Sequence, residues 1–216
     1  MQETQSEWLP DVLMFVSHDC AHCTSVLKSM RMLLKGKRIA SLEIINAAEK
    51  PEQAAAMGIR SVPWLRIGQF ELEGLIAPDV LRQWVNHSLS PKGVQAYFME
   101  MLTTGRRDKV ETLIRNNPNS AEVLVELLVD PEVSMAVRIG MGAVLEELQG
   151  SGLTESMIPG LGNLLLNGES LIRVDACHFL TLIGGVAVTD YMKLCLEDVN
   201  ADIREMAHET LGINQV

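Results

Sequence analysis

The stretch from Val12 to Cys23 is VLMFVSHDCAHC, and it decides the fold of the first part of the chain. Val12 to Val16 is a continuous apolar run of strand length, which predicts a strand covered on both faces. Beyond it, apolar residues recur at helical spacing until Gly36, a natural helix stop. The predicted apolar face of that helix consists of Cys23, Val26, Leu27, Met30, Leu33 and Leu34. A buried strand therefore leads, through a close cysteine pair, into an amphipathic helix.

The chain that follows alternates between strand-like and helix-like segments. Gly68-Gln69 fits a two-residue hairpin turn with glycine first. A right-handed crossover makes the first two strands parallel, and the hairpin adds an antiparallel edge. We therefore expect residues 1–90 to form a compact α/β domain, a mixed sheet with helices on both sides. Its further predicted elements are a strand from Ile39 to Ile45, a short helix from Pro51 to Met57, strands from Val62 to Ile67 and from Phe70 to Glu73, and a helix from Pro78 with Val80, Leu81, Trp84 and Val85 on one face.

After Pro91 the pattern becomes all-helical. The segment from Glu132 to Leu148 has one clean apolar face. Asp130-Pro131 just before it predicts an N-cap followed by proline at the first helical position. Other helical stretches are predicted at Ala121 to Val129, Glu155 to Leu166 and Thr189 to Glu197.

Three segments of this helical part share a pattern. The pairs Val137-Arg138, Ile172-Arg173 and Ile203-Arg204 align, with Met141, Ala176 and Ala207 three residues after each arginine and Leu145, Leu180 and Leu211 seven residues after it. The arginines step by 35 and then 31 residues, the spacing of a helical-hairpin repeat.

From Ala121 to Gly212 this part resembles the HEAT-repeat family. The resemblance implies that residues 91–216 form a short α-solenoid of stacked helix pairs, with Val94 to Asn116 as a divergent first unit. It also implies that the aligned arginines bond within or between neighbouring repeats, and that the concave surface binds a protein partner.

The charge balance excludes several function classes. The chain has 18 basic and 28 acidic residues, and the part from Pro91 onward holds 9 of the basic and 18 of the acidic ones. Such a surface repels phosphate backbones, which argues against nucleic-acid binding.

No apolar run approaches the roughly 18 residues of a membrane span, and the start MQETQSEWLPDVL lacks the features of a signal peptide. We therefore expect a cytoplasmic protein that does not bind membranes.

The cysteine pair is the candidate centre for chemistry. Cys20 at a helix N-terminus faces free backbone N–H groups and the positive end of the helix dipole, which lower a thiol pKa from about 8.5. Cys23, one turn on, is placed to resolve a mixed disulfide, and His22 adds a partly positive group. Metal binding by His18, Cys20, His22 and Cys23 is an alternative, although zinc sites usually draw ligands from two separated pairs.

A second feature, Ser61-Val62-Pro63, begins the predicted third strand. Because proline cannot donate to a sheet ladder, we expect a special geometry here, such as a cis X-Pro bond. The loop should approach the cysteine pair, where Val62 offers its backbone to an extended substrate. Trp64, next to the proline, is a candidate for lining a substrate groove.

Together these elements, with Gly58 to Pro63 and Glu73-Gly74, resemble the thioredoxin superfamily from Asp11 to Leu89. The resemblance implies that Cys20 is the nucleophile, Cys23 the resolving thiol and Pro63 the cis-proline, with His22 assisting. The implied substrate surface is Val62, Trp64 and Ala21; the implied cofactor is none besides the Cys20–Cys23 disulfide, with no metal.

The sequence therefore predicts a thiol–disulfide oxidoreductase that acts on a protein dithiol or disulfide, with the helical repeats binding the partner. The alternative is a non-catalytic adaptor in which both domains are binding surfaces. Two further cysteines, Cys177 and Cys195, lie in apolar helical stretches and are expected to be small core residues.

Overall fold

The computed structural model describes residues 9–213, and the chain divides into two compact units, Met1–Val94 and Gln95–Val216. The division falls a few residues after the predicted boundary at residue 90. The prediction that the chain start lacks a signal peptide, and the outer limits of the two predicted domains, fall on residues outside the described part.

Within residues 9–213, no helix is both long enough and apolar enough to cross a bilayer.

The first unit contains a four-stranded mixed sheet. Its strands are β1 (Asp11–Val16), β2 (Ser41–Asn46), β3 (Trp64–Ile67) and β4 (Phe70–Glu73). They lie in the order β2-β1-β3-β4, with β1 parallel to β2 and antiparallel to β3, and β3 antiparallel to β4. Gly68 begins the β3–β4 turn with a φ of +57°, as the glycine-first hairpin requires. The predicted parallel pair and antiparallel edge are confirmed.

The strand starts differ from those predicted at two places. Ile39 is buried, but it precedes the ladder, which begins at Ser41. Val62 and Pro63 also precede their strand, since the pairing of β3 starts at Trp64. Burial and apolar character extend beyond the paired residues in both cases, so they overestimate strand length.

Three helices flank the sheet: α1 (Ala21–Lys35), α2 (Pro51–Ala56) and α3 (Pro78–His87). Side chains alternate along β1, so Leu13 and Phe15 lie on one face and Val12 and Met14 on the other. Leu13 and Phe15 pack with Ala54 of α2. On the opposite face, α1 contacts α3 and β2. The predicted arrangement, with helices on both sides of the sheet, is confirmed.

The end of α1 differs in detail from the prediction. Gly36 is the C-cap, but the left-handed residue is Lys37, with a φ of +54°. The N–H of Arg38 bonds to the carbonyl oxygen of Leu33 at 2.9 Å and that of Lys37 to Leu34 at 3.0 Å, the two bonds of a Schellman motif. Leu34, expected on the buried face, is 38% exposed.

The second unit contains helices and no strand within residues 95–213. Its helices are α4 (Gly93–Thr103, which begins just before the division), α5 (Arg107–Asn116), α6 (Glu122–Leu128), α7 (Met135–Glu147), α8 (Ile158–Leu164), α9 (Ser170–Ile183), α10 (Thr189–Cys195) and α11 (Ala201–Leu211). Short 3-10 turns occur at Pro118–Ala121, Glu155–Met157 and Val186–Val188. Helices α5, α7, α9 and α11 contact one another in chain order, and α6 contacts α8.

The predicted start of α7 is wrong. Its N-cap is Ser134, whose hydroxyl accepts the N–H of Val137, rather than Asp130. Asp130 instead caps the turn that precedes α7: its carboxylate accepts the N–H of Glu132 at 2.9 Å. Because an aspartate caps a turn as readily as a helix, its position before a proline does not identify the helix start.

The aligned residues of the helical part take equivalent positions. Met141, Ala176 and Ala207 are each fully buried. The arginines bond to backbone oxygens near the end of the preceding helix, and two of them also pair with a carboxylate further along the chain. These bonds are Arg138 to the Leu128 oxygen (3.0 Å) and to Asp175, Arg173 to the Asn167 oxygen (3.0 Å) and to Asp198 (2.9 and 3.1 Å), and Arg204 to the Asp198 oxygen (2.7 Å).

Candidate redox site

Cys20 and Cys23 form a disulfide at the N-terminus of α1. Cys20 is the N-cap: its backbone is extended, and its Sγ accepts the N–H of Cys23 at 3.1 Å. The Cα atoms of the two cysteines are 5.3 Å apart, because the two residues between them complete the first helical turn. The predicted position of the pair at a helix N-terminus is therefore the observed one.

Cys20 and Cys23 differ in their exposure to solvent. Cys20 is partly exposed, whereas Cys23 is 4% exposed and lies on the buried face of α1. An external thiolate or disulfide can therefore approach the bond from the Cys20 side.

The loop before β3 lies beside Cys20. The carbonyl oxygen of Val62 is 3.6 Å from Cys20 Sγ, and the Val62–Pro63 peptide bond is cis. The loop is held from the end of β4, since Gly74 donates its N–H to the Pro63 oxygen at 2.8 Å and the Ser61 hydroxyl bonds to Glu73 at 3.2 Å. Residues some forty positions apart in the chain thus meet at one edge of the unit.

Val62 has a backbone that is available to a ligand. Its side chain is half-buried against the cluster of Leu13, Phe15 and Trp64. Its N–H makes no hydrogen bond to any of the described residues, 9–213. A donor of this kind next to the disulfide suits the backbone of an extended polypeptide.

The predicted role of Trp64 in a substrate groove is wrong. Trp64 is 1% exposed and packs edge-on against Phe15 at a centroid distance of 5.8 Å, beneath Ala54 of α2. Its indole N–H is buried with no hydrogen-bond partner within the described residues. Because helices cover both faces of the sheet, the side chain of Trp64 lies in the core and does not reach a surface groove.

The other predicted site residues lie at the surface. Ala21 and His22 are exposed, and the side chain of His22 makes no hydrogen bond or ion pair within residues 9–213. His18 is exposed too, and its Nε2 lies 3.5 Å from Glu49. Within residues 9–213, neither histidine side chain shares a hydrogen bond or an ion pair with Cys20 or Cys23.

Across the described part of the chain, no group of three or more His, Cys, Asp or Glu side chains is placed to hold a metal ion. The disulfide is part of the protein, and thioredoxin-like domains need no further cofactor.

The sequence analysis missed a groove beside Cys23. It has a volume of about 520 Å³ and runs along α1, with Val16, Leu27 and Met32 among its apolar lining and Lys28, Arg31 and Lys35 along it. The sequence signal was present: the three basic residues recur at helical spacing in a helix that contains no Asp or Glu.

A second thiol pair lies in the helical unit. Cys177 on α9 and Cys195 on α10 are both buried, and the Cys177 Sγ lies 3.9 Å from the carbonyl oxygen of Ile203. The neighbouring Cys195 thiol, together with burial, raises the pKa of Cys177. The prediction that both are core residues is confirmed, and a raised pKa keeps the Cys177 thiol unreactive.

Comparison with known families adds one finding. Residues 11–86 match the family model of the thioredoxin domain. No curated protein matches the chain. The matched segment begins with β1, ends within α3, and contains both Cys20 and Cys23 and the loop at Val62-Pro63. Residues 11–86 therefore form a thioredoxin-like domain whose Cys-x-x-Cys pair is joined as a disulfide.

Proposed function

We propose that the protein is a thiol–disulfide oxidoreductase that acts on a protein dithiol or disulfide through Cys20 and Cys23. One observation carries the proposal: the more accessible sulfur, that of Cys20, caps a helix and accepts an N–H, while its partner Cys23 is buried. N–H groups at a helix start stabilise a thiolate, which is both the attacking and the leaving form in exchange.

In the reducing direction, the Cys20 thiolate attacks one sulfur of a substrate disulfide. A mixed disulfide forms and the other substrate sulfur leaves as a thiolate. The Cys23 thiolate then attacks Cys20 Sγ, which restores the Cys20–Cys23 disulfide and releases the second substrate thiolate. The substrate gains two electrons and the protein dithiol loses them. The reverse sequence oxidises a substrate dithiol, and an external dithiol or disulfide closes the cycle.

The loop at Val62-Pro63 has a positioning role in this proposal. The Val62 N–H lacks a partner, and the Val62 carbonyl lies next to Cys20 Sγ. An extended substrate that bonds to this backbone has its own sulfur held near Cys20, and Ala21 and His22, which follow Cys20 in the chain, are exposed to it. His22, when protonated, adds positive charge near the thiolate.

For the helical unit we propose stacked HEAT-like helix pairs that bind a protein partner. Two observations support this: the aligned arginines make equivalent backbone bonds, and exposed apolar residues recur at the turns beside those bonds. Val129 is 47% exposed, Leu166 85% and Val199 89%. We also propose a cytoplasmic location, where close cysteine pairs serve redox chemistry rather than structural stabilisation.

The test is reduction of a disulfide-containing protein such as insulin with dithiothreitol as the electron source. We expect Cys20→Ser to lose the catalysed rate. In a separate incubation without dithiothreitol, the reduced Cys23→Ser variant should accumulate mixed disulfides, which added dithiothreitol then releases. Cys195→Ala is the matched control, because it removes a buried thiol outside the centre. An unchanged rate in Cys20→Ser would favour the adaptor hypothesis instead.

A further inference from the structure

The groove along α1 has a charge pattern that differs from the rest of the chain. From Ala21 to Ala40 there are five basic residues and no acidic one, in a protein whose net charge is −10. Three of the five, Lys28, Arg31 and Lys35, lie along the groove. We call this surface the cationic groove.

The three cations have no internal partner. Within residues 9–213, none of Lys28, Arg31 and Lys35 forms an ion pair or a side-chain hydrogen bond. Their spacing places them on one face of α1, where like charges repel each other and disfavour the helix. Lys35 is favourably placed at the last turn of α1, but the grouping of the three charges does not stabilise the folded unit, whereas an anionic ligand would gain from it.

The apolar lining narrows the class of ligand. Met32 is 56% exposed and Leu27 is half-buried, so the groove presents apolar surface beside the three charges. A polypeptide with alternating acidic and apolar side chains matches both features. A nucleic acid matches the charges, but its bases stack best on aromatic side chains, and the lining of this groove includes no Phe, Tyr or Trp.

The position of the groove connects it to the chemistry. Cys23 and His18 line one end of it, and Lys35 at the last turn of α1 lines it too. The groove therefore starts at the disulfide and follows the helix away from it. A segment bound there lies beside Cys23, whose sulfur is bonded to that of Cys20.

We propose that the cationic groove binds an acidic segment of the protein whose disulfide or dithiol reacts at Cys20. This proposal rests on the proposed function and names its substrate class: polypeptides in which aspartate or glutamate, interleaved with apolar residues, flank the reacting cysteine.

A binding experiment tests the groove without the chemistry. The probe is a fluorescent, cysteine-free peptide of alternating glutamate and leucine, and the protein is the full chain with Cys20→Ser and Cys23→Ser. We expect K28Q/R31Q/K35Q to weaken binding roughly tenfold at low salt, as surface steering charges do. The matched control K50Q/R82Q/K92Q removes the same charge at other exposed positions of this unit and should stay within about twofold of the parent. Equal losses in the two triple variants, equal binding of a lysine–leucine peptide, or tighter binding of a single-stranded oligonucleotide would overturn the proposal.

An exchange experiment separates this proposal from the proposed function. With the cysteines intact, kcat/KM for an acidic disulfide peptide should fall roughly tenfold in K28Q/R31Q/K35Q, with kcat unchanged, because the groove binds and does not react. Exchange with acidic and basic peptides at equal kcat/KM would refute the groove as a substrate site. Exchange with neither peptide would refute the oxidoreductase itself.

Discussion

The sulfur of Cys20 accepts the N–H of Cys23 at 3.1 Å, so the residue proposed to react is also the residue that caps α1. Reduction of the disulfide leaves the start of the helix with the same sulfur as its side-chain acceptor. A thiolate is a stronger acceptor than a neutral thiol, so the cap and the reactive form favour each other. The chemistry and the local fold therefore depend on one contact.

Reduced Cys20 should react with iodoacetamide at a pH below that of an ordinary cysteine. The helix terminus stabilises its thiolate, so the alkylation midpoint of Cys23→Ser should lie below the free-cysteine value of about 8.5. Mass spectrometry of the alkylated protein across pH gives the midpoint. In the same samples Cys177 and Cys195 should stay unmodified until the protein unfolds, since both are buried. A midpoint at the free-cysteine value would contradict the role assigned to the cap.

Lys37→Gly should stabilise the protein. Lys37 is the one non-glycine residue with a positive φ among residues 9–213, and it occupies the position of a Schellman motif that glycine prefers. Removing the Cβ relieves the left-handed strain, and the larger entropy of unfolded glycine offsets part of the gain, so we expect roughly 0.5–1 kcal/mol. Urea unfolding of Lys37→Gly and Lys37→Ala measures this gain in the free energy of unfolding. Alanine is the control because it removes the rest of the side chain but keeps the Cβ. Equal stability of the two variants would contradict the assignment.

Gly162→Ala should destabilise the helical unit. A Cβ at Gly162 in α8 would overlap the ring of Tyr191 in α10. Overpacking of this kind costs about 1–3 kcal/mol, more than the gain of up to about 1 kcal/mol from the helix propensity of alanine. Gly168→Ala is the control, since nothing lies within 4 Å of a Cβ there. Thermal unfolding of both variants decides the matter, and similar Tm values would show that α8 and α10 lie further apart.

Asp198→Asn should reduce stability at neutral pH and make less difference in acid. The hydrogen bond from Arg173 holds the pKa of Asp198 below its usual value. A carboxyl whose folded pKa is lowered stabilises the fold above its unfolded pKa of about 3.9 and loses that contribution as pH falls through the lower folded value. The Tm difference from wild type should therefore be largest near pH 7 and shrink steadily below pH 4.

Asp190→Asn is the control for that measurement. Asp190 bonds to Lys193 at 2.8 Å, but its side chain is 91% exposed, whereas that of Asp198 is 14% exposed. Solvent screens exposed pairs, so this substitution should change the Tm little at any pH. A comparable loss in both variants would mean that the Arg173–Asp198 pair is worth no more than a surface contact.

The elements around the sheet could be predicted from the sequence because each of them has a local sequence pattern. The apolar run at Val12 to Val16, the helical spacing after Cys23 and the glycine at position 68 each satisfy a local rule, and the tertiary structure follows all three. The cysteine pair follows β1 and Pro63 precedes β3, and the two loops lie at one edge of the sheet because β1 and β3 are antiparallel. The order of the elements predicted that these loops approach each other.

Side-chain direction was harder to predict. Trp64 is adjacent to Pro63 in sequence, yet one residue further along a strand reverses the face, and its ring lies in the core. The sequence predicted that the helix stops at Gly36, but the left-handed residue is Lys37, because the two Schellman bonds require that conformation in the residue after the C-cap. The start of α7 depended on which of Asp130 and Ser134 reaches the orphan N–H groups. Each case turns on geometry at the level of a single residue, which composition and spacing do not contain.

The charges on the two outer strands of the sheet, β2 and β4, oppose the association of two molecules edge to edge. β4 has only four residues, and both outer strands bear carboxylates, Glu43 on β2 and Glu71 and Glu73 on β4. Two molecules that met strand against strand would bring like charges together, and this repulsion is one of the ways in which natural proteins avoid aggregation. The same carboxylates should disfavour capture of acidic chains at these margins, so that self-association and nonspecific pairing are opposed at both ends of the sheet.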